Sequence, residues 1–243
     1  MKQVLLKIKE NVALNDSVYK MTLVGDVKEV KAGQFINIKL SGLYLRRPIS
    51  VFNLGENFIQ IIYKVVGKGT EEMSKMQDGV LDVLTGLGNG YNLEKSGNIP
   101  LLIGGGVGIP PLFELAKNLI KQGKKPWVIL GFNTKEEIFC VKDFEELGVK
   151  VYITTVDGSA QIKGFVTDAI DKEDYSYVYA CGPEPMLKAV YNKSKTSGQF
   201  SFEERMGCGF GACMGCSCKT LYGNKRICKD GPVLEKEEII WEN

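Results

Sequence analysis

Apolar and polar positions alternate through the first third of the chain, and the rhythm then changes to one of short apolar runs followed by helical stripes. Val4–Ile8, Val18–Val24, Gln34–Leu40, Pro48–Phe52, Phe58–Val66 and Val80–Leu84 are short and rich in Val, Ile, Tyr and Phe. Turn clusters such as Asn15-Asp16-Ser17 and Leu54-Gly55-Glu56-Asn57 separate them. Branched and aromatic side chains at period two suit pleated, half-buried strands. Six such segments predict a small antiparallel β-barrel. Thr70–Gln77 is the exception, a predicted short helix with Thr70 as its N-cap and Met73 and Met76 facing inward.

The change comes at Asn98-Ile99-Pro100. Leu101-Leu102-Ile103 predicts a buried strand. After Gly104–Gly108, a helix begins at Pro110-Pro111, where a first turn tolerates proline. Its apolar stripe is Leu112, Leu115, Ala116, Leu119 and Ile120. Trp127–Leu130 reads as a strand, about Lys135–Leu147 as a helix closed by Gly148, and Val149–Thr154 as a strand. Gly164–Asp171 holds a short helix, Tyr177–Ala180 a strand, Glu184–Lys195 a helix and Phe200–Glu204 a last strand. Apolar strands alternating with helices predict a doubly wound parallel sheet, so the fold class is β-barrel plus α/β. Residues 205–243 carry too few apolar side chains for a core of their own. The expected division is therefore 1–97, 98–204 and 205–243.

Composition narrows the chemistry. The chain has 243 residues, 31 Lys and Arg against 29 Asp and Glu, and no histidine. Without histidine there is no Ser-His-Asp triad, Cys-His dyad, His-ligated zinc or His-ligated haem. A net charge of +2 gives no reason to expect a nucleic-acid or anionic-membrane partner. No apolar stretch approaches the ~18–20 residues of a membrane-spanning helix. Val4-Leu5-Leu6, flanked by lysines, is too short for a signal-peptide core, so a cytoplasmic location is expected.

Of seven cysteines, five fall between Cys208 and Cys228. Crowding at one end of a long chain is a poor disulfide framework and points to a metal site. Cys208, Cys213, Cys216 and Cys228 follow the C-x4-C-x2-C plus distant cysteine pattern of a plant-type [2Fe–2S] cluster. One loop must present three thiolates to two irons, and Gly207, Gly209, Gly211 and Gly215 let its backbone come close. A four-cysteine zinc site usually shows two tight pairs instead. Cys218 is a fifth, unassigned thiol, and Cys140 reads as an ordinary buried one.

Gly104, Gly105, Gly106 and Gly108 follow a strand and open a helix, the place for a pyrophosphate-binding loop, although Ile109 stands where a strict G-x-G-x-x-G has its third glycine. A tight turn without ligand is the plainer reading. Cys181-Gly182-Pro183-Glu184-Pro185-Met186 forms another strand-to-helix turn at the same sheet edge, where Cys181 could equally serve close packing. After the second strand, Gly131-Phe132-Asn133 offers no arginine for a 2′-phosphate, which tilts towards NAD, while nearby Lys135 leaves NADP open. In the barrel, Arg46-Arg47-Pro48-Ile49-Ser50 and Gly67-Lys68-Gly69-Thr70 could each bind phosphate, the first by guanidinium and the second by backbone amides at a helix start. A solvated surface pair and a plain turn are the alternatives.

Taken in order, these motifs resemble the ferredoxin–NADP reductase superfamily. The stretch Glu204–Cys216 with Arg226–Pro232 resembles, within it, the family of electron-transfer subunits of NAD-linked dihydroorotate dehydrogenase. The resemblance spans essentially the whole chain. It implies an FAD-binding barrel, an NAD-binding α/β domain and a C-terminal [2Fe–2S] subdomain. Arg47, Pro48, Ile49 and Ser50 would bind FAD, with Arg47 on its pyrophosphate and Ser50 near the ring. Ile62, Tyr63 and Lys64 would line the flavin, and Gly69 with Thr70 would hold its phosphates. Gly104, Gly105, Gly106, Gly108, Ile109 and Pro110, with Cys181, Gly182, Pro183, Glu184 and Met186, would bind NAD. Cys208, Cys213, Cys216 and Cys228 would hold the cluster.

The implied partner is an FMN-containing dihydroorotate dehydrogenase catalytic subunit, in a heterotetramer of two plus two. Electrons from dihydroorotate would pass through partner FMN, the cluster and FAD to NAD+, in pyrimidine biosynthesis. No acid–base constellation is visible, and cofactor chemistry needs none. Other readings are a related subunit of the sulfide dehydrogenase or ferredoxin–NADP transhydrogenase type, a redox-sensing flavin module, and a zinc-stabilised nucleotide-binding protein.

Overall fold

A computed structural model describes residues 1–241. Strands β1 (Lys2–Ala13), β2 (Val18–Val24), β3 (Phe35–Ile38), β4 (Arg47–Leu54) and β5 (Phe58–Lys64) are followed by helix α1 (Lys68–Ser74) and strand β6 (Val80–Leu87). The six strands close into a barrel in the order β1-β2-β5-β4-β3-β6, every pairing antiparallel. The alternation predicted from sequence sets its two faces. Ile36, Ile38, Val51, Ile61 and Tyr63 fill the interior, while Phe52 and Ile62 join a different core outside it. Residues directly opposite on antiparallel strands share a face. The pairs Phe35↔Ser50 and Asn37↔Pro48 therefore lie on the outer surface, and Ile36↔Ile49 on the inner.

Helix α1 starts one turn earlier than expected. Gly67 precedes it, and Thr70 stands at the third helical position instead of the cap. Its Oγ1 reaches back to accept from the backbone N–H of Val66 at 2.9 Å and Gly67 at 3.3 Å. A capping glycine has no side chain, so the threonine satisfies these amides from inside the helix. Met73 is fully buried and Met76 partly so.

The second unit comprises β7 (Pro100–Gly105), α2 (Pro110–Lys121), β8 (Trp127–Phe132), α3 (Val141–Glu146), β9 (Lys150–Thr155), β10 (Ile162–Lys163), β11 (Tyr177–Cys181), α4 (Glu184–Lys193) and β12 (Gly198–Ser201). The tail adds the hairpin β13 (Ser217–Thr220) and β14 (Gly223–Arg226), then β15 (Val233–Glu235). The large sheet runs β10-β9-β8-β7-β11-β12-β15, parallel except for the last pair. The helix expected over 135–147 is broken. A 3₁₀ turn at Lys135–Glu137 and α3 are separated by Cys140, whose φ of 63° is left-handed and stops helical continuation. The strand expected at Phe200–Glu204 lies at Gly198–Ser201, and Phe202–Glu204 follow it outside the strand. Helix α4 ends at Lys193, two residues early.

The two units share one core. Phe113 of α2 stacks on Phe52 of β4 with ring centroids 4.5 Å apart. Glu114 Oε2 accepts from the Leu54 amide at 2.9 Å and from Lys117 at 2.8 Å. The tail is tied to both units. Cys216, Ile227, Cys228 and Leu234 pack with Phe35 and Phe200. Asn89, just past the barrel, donates to the Val233 carbonyl at 2.7 Å and accepts from its amide at 3.2 Å. Among the described residues no helix is long and apolar enough to cross a membrane.

Candidate functional site

The two glycine turns predicted from sequence meet. A Cβ on Gly108 would stand 2.4 Å from the Cys181 carbonyl oxygen, and one on Gly105 2.5 Å from Met186 Sδ. Only glycine permits this approach between the β7–α2 and β11–α4 connections. Both turns sit at the carboxyl edge of the parallel strands, where such sheets bind ligands. They open on a cleft of 570 Å³, lined by Gly105, Gly106, Gly108, Gly182, Pro183 and Met186, and closed on the barrel side by Asn15, Ser17, Val18 and Lys64.

The other predicted residues of these turns do not line the cleft. Ile109 is buried and packs on Gly104, where a Cβ would meet its Cγ1 at 2.7 Å. Pro110 begins α2, and Glu184 is exposed at the start of α4. Cys181 is buried, and burial above all pushes its thiol up to about 12.

The arginine pair divides its work. Arg46 Nη2 pairs with Asp82 at 2.9 Å, and its Nη1 donates to the Asp82 carbonyl at 3.0 Å. Arg47 has no carboxylate partner among the described residues. Its Nη1 donates to the Leu45 carbonyl at 2.5 Å, and its guanidinium covers Gly69. A Cβ on Gly69 would come 2.1 Å from Arg47 Nε. The guanidinium of Arg47 and the first turn of α1 thus converge at the start of β4, next in the chain to Pro48. Ile62 and Lys64 lie on the outer side of β5, Lys64 at the cleft itself. Ile49 and Tyr63 turn into the barrel, where the Tyr63 hydroxyl donates to Asn11 Oδ1 at 3.0 Å. A ligand on the outer face meets these two residues through their backbone.

The four cysteines are linked two by two through backbone amides. The Cys213 amide donates to Cys208 Sγ at 3.4 Å, and the Cys228 amide to Cys216 Sγ at 3.4 Å. Cys208 Sγ also accepts from the amide of Ala212 at 3.2 Å. Burial pushes the Cys208 thiol up, but the amides of Cys213, Phe210 and Ala212 outweigh it and bring the thiol to about 6. At Cys228 burial acts first, the neighbouring Cys216 adds to it, and the thiol rises to about 12. Among the described residues no three His, Cys, Asp or Glu side chains gather closely enough to hold one metal ion. Two pairs of soft thiols beside sulfur-directed amides fit a two-iron cluster, with two ligands for each iron. Cys218, half-buried on β13, stays outside both pairs.

Several cleft residues carry no motif. Asn15 and Ser17 read from sequence as a turn, yet they face the glycine loops. Asn15 Nδ2 donates to the Glu137 carbonyl at 3.2 Å and so ties the barrel to the second unit. Phe165 is a large aromatic side chain left 64% exposed, and it lines the same cleft. Glu203, also at the cleft, loses water around its carboxyl, which pushes its pKa up. Only its place just before the cysteine loop could have flagged it.

Residues 102–192 match the oxidoreductase NAD-binding domain, and residues 203–240 the iron-sulfur cluster binding domain of dihydroorotate dehydrogenase B. The electron transfer subunit of dihydroorotate dehydrogenase B (NAD(+)) from Fusobacterium nucleatum is 44% identical, covering 96% of each chain. That of Bacillus pumilus is 43% identical over 98% of each. Among solved structures, an NADH-dependent reduced ferredoxin–NADP oxidoreductase studied for flavin-based electron bifurcation is 33% identical. It superposes with a TM-score of 0.89 and covers 98% of this chain and 90% of its own. The chain belongs to the family of electron-transfer subunits of dihydroorotate dehydrogenase B (NAD(+)).

Proposed function

We propose that this chain carries electrons between an FMN-containing dihydroorotate dehydrogenase catalytic subunit and NAD+, using FAD and one [2Fe–2S] cluster. The observation that carries the reading is the meeting of three sites. The cleft between the glycine turns is closed by barrel residues, Arg47 lies over the first turn of α1, and Cys216 and Cys228 pack with Phe35 of β3. When bound, FAD would exchange electron pairs with the nicotinamide and single electrons with the cluster.

The chain's own residues bind and orient. Arg47 offers the FAD pyrophosphate a guanidinium that has no carboxylate partner among the described residues, and Gly69 and Thr70 present the first turn of α1 to it. Pro48, Ser50, Ile62 and Lys64 form the wall on which the flavin rests, joined by the backbone of Ile49 and Tyr63. Gly105, Gly106, Gly108, Gly182, Pro183 and Met186 receive NAD. Gly104, Ile109, Pro110 and Cys181 shape that loop pair from behind, and Glu184 stands exposed at its edge, at the start of α4. Cys208 with Cys213, and Cys216 with Cys228, supply the thiolates. The absence of an arginine among the residues lining the cleft favours NAD over NADP.

On this reading residues 1–97, 98–204 and 205–243 are the flavin, nicotinamide and cluster units. Large apolar side chains left exposed near the cysteines, Phe210 at 42% and Met214 at 53%, and at the hairpin tip, Leu221 at 64% and Tyr222 at 79%, support a partner surface. A heterotetramer of two plus two in the cytoplasm fits this function. The likeness to the ferredoxin–NADP oxidoreductase supports a second reading, in which the chain serves a different electron-transfer partner.

Anaerobic mixing with the catalytic subunit, dihydroorotate and NAD+ separates the two. Formation of NADH only when both subunits are present supports the first reading. Failure with that subunit, together with NADH-driven reduction of ferredoxin in a larger complex, would replace it with the second.

A further inference from the structure

Asn37 lies where the flavin wall and the cysteine loop touch. It is 1% exposed on β3, and its side chain points outward from the barrel, on the same face as Pro48 directly across from it. Its Nδ2 donates to the Cys208 carbonyl at 3.4 Å. Its amide also fills the space above Gly209, where a Cβ would fall 2.3 Å from Nδ2. Gly209 holds a φ of +78°, so the loop turns sharply against this one side chain. Asn37 Oδ1 is buried and has no hydrogen-bond partner among the described residues. A buried amide with one end unpaired costs stability. Packing alone would be met better by leucine.

We propose that Asn37 is a positioning residue that fixes the cysteine loop at a set separation from the flavin wall, and so governs transfer between the two centres. The proposal rests on the cofactor reading given above. Opposite residues on paired strands stand roughly 5 Å apart, so one strand separates Pro48 and Ser50 from the loop. Phe35, the other outward residue of β3, packs with Cys216 and Cys228 while facing Ser50. The two loop anchors therefore sit opposite the two outward flavin residues, and Asn37 is the one that holds the Cys208 backbone.

The test uses the full chain with both cofactors and the variants Asn37→Asp and Asn37→Ala. Both remove the donor, and the alanine buries no new charge should the aspartate fail to fold. NADH, oxidised to NAD+, supplies two electrons, of which the cluster takes one and the flavin keeps the other. Stopped-flow spectra follow flavin and cluster separately, and the cluster's EPR spectrum and midpoint potential are read after dithionite. The expected result is flavin reduction within about twofold of the parent, with cluster reduction slowed about tenfold or more and an altered EPR spectrum. Loss of iron with FAD retained would also support the anchor. Unchanged iron, EPR spectrum, potential and transfer rate in either folded variant would overturn it. A parent protein without iron would instead sink the cofactor reading on which the proposal stands.

Discussion

The guanidinium of Arg47 lies across Gly69, so close that a Cβ there would stand 2.1 Å from Nε. Sequence alone offers two adjacent arginines, and the structure gives them different tasks. Arg46 is spent on Asp82, whereas among the described residues Arg47 makes hydrogen bonds to nearby carbonyls and to no carboxylate. Arg47→Ala should therefore weaken FAD binding by roughly 10- to 100-fold, the range for one lost charge-assisted contact, with little change in apoprotein Tm. Gly69→Ala should weaken FAD binding too, by displacing the guanidinium. Fluorescence titration of the apoprotein with FAD measures both, and unchanged affinity in Arg47→Ala would remove the residue from the site.

Gly108 supports a second prediction. A methyl group there meets the Cys181 carbonyl oxygen at 2.4 Å, and backbone cannot yield as a side-chain end can. Gly108→Ala should spread the two turns, cost about 1–3 kcal/mol and raise KM for NADH in a diaphorase assay more than it lowers kcat. An unaltered KM would mean that nicotinamide nucleotide binds elsewhere.

The interface between barrel and sheet gives a stability prediction. Phe113 stacks on Phe52 and meets Phe144 edge-on at 5.5 Å. Phe113→Ala should cost about 3–5 kcal/mol in urea unfolding. It should also loosen the cleft, whose walls come from both units.

Thiol reactivity in the cluster-free chain should differ sharply between cysteines. Amides around Cys208 bring its thiol to about 6, while burial takes Cys181 to about 12. Cys208 should thus be alkylated by iodoacetamide with a midpoint near pH 6 while Cys181 remains unmodified through neutral pH. The sign for stability follows. A thiol depressed in the fold stabilises it fully above the ordinary value near 9, and that contribution is lost as pH falls through about 6. Mass spectrometry of labelled peptides checks the order, and equal labelling of the two would contradict it.

Much of the fold was legible because its signals are local. The run Val18–Val24 alternates cleanly and is observed as β2 with those bounds, and Pro110-Pro111 opens α2 as its composition requires. What failed depends on non-local or strained geometry. The break at Cys140 needs a left-handed non-glycine residue, which apolar periodicity does not encode. Thr70 has the chemistry of a cap but acts from the third helical position, because Gly67 takes the place before the helix. At the site, glycine turns and cysteine spacing were visible in the sequence. Asn37 was not, since a lone asparagine in a strand reveals neither the loop packed on it nor the strand beside it. The inward turn of Tyr63 is a matter of barrel register, and only strand pairing fixes it.

The order of the relay makes a further prediction. Cys208→Ser should stop electron flow from the dihydroorotate subunit while NADH still reduces FAD. Full coupled turnover in this variant would show that electrons bypass the cluster.

The most direct test of the whole account is an anaerobic visible spectrum of the purified chain, with flavin and iron quantified, before and after NADH. The account predicts flavin bands over a broad cluster shoulder, one FAD and about two irons per chain, and bleaching on NADH addition. A colourless protein containing zinc would contradict it and leave only a nucleotide-binding fold.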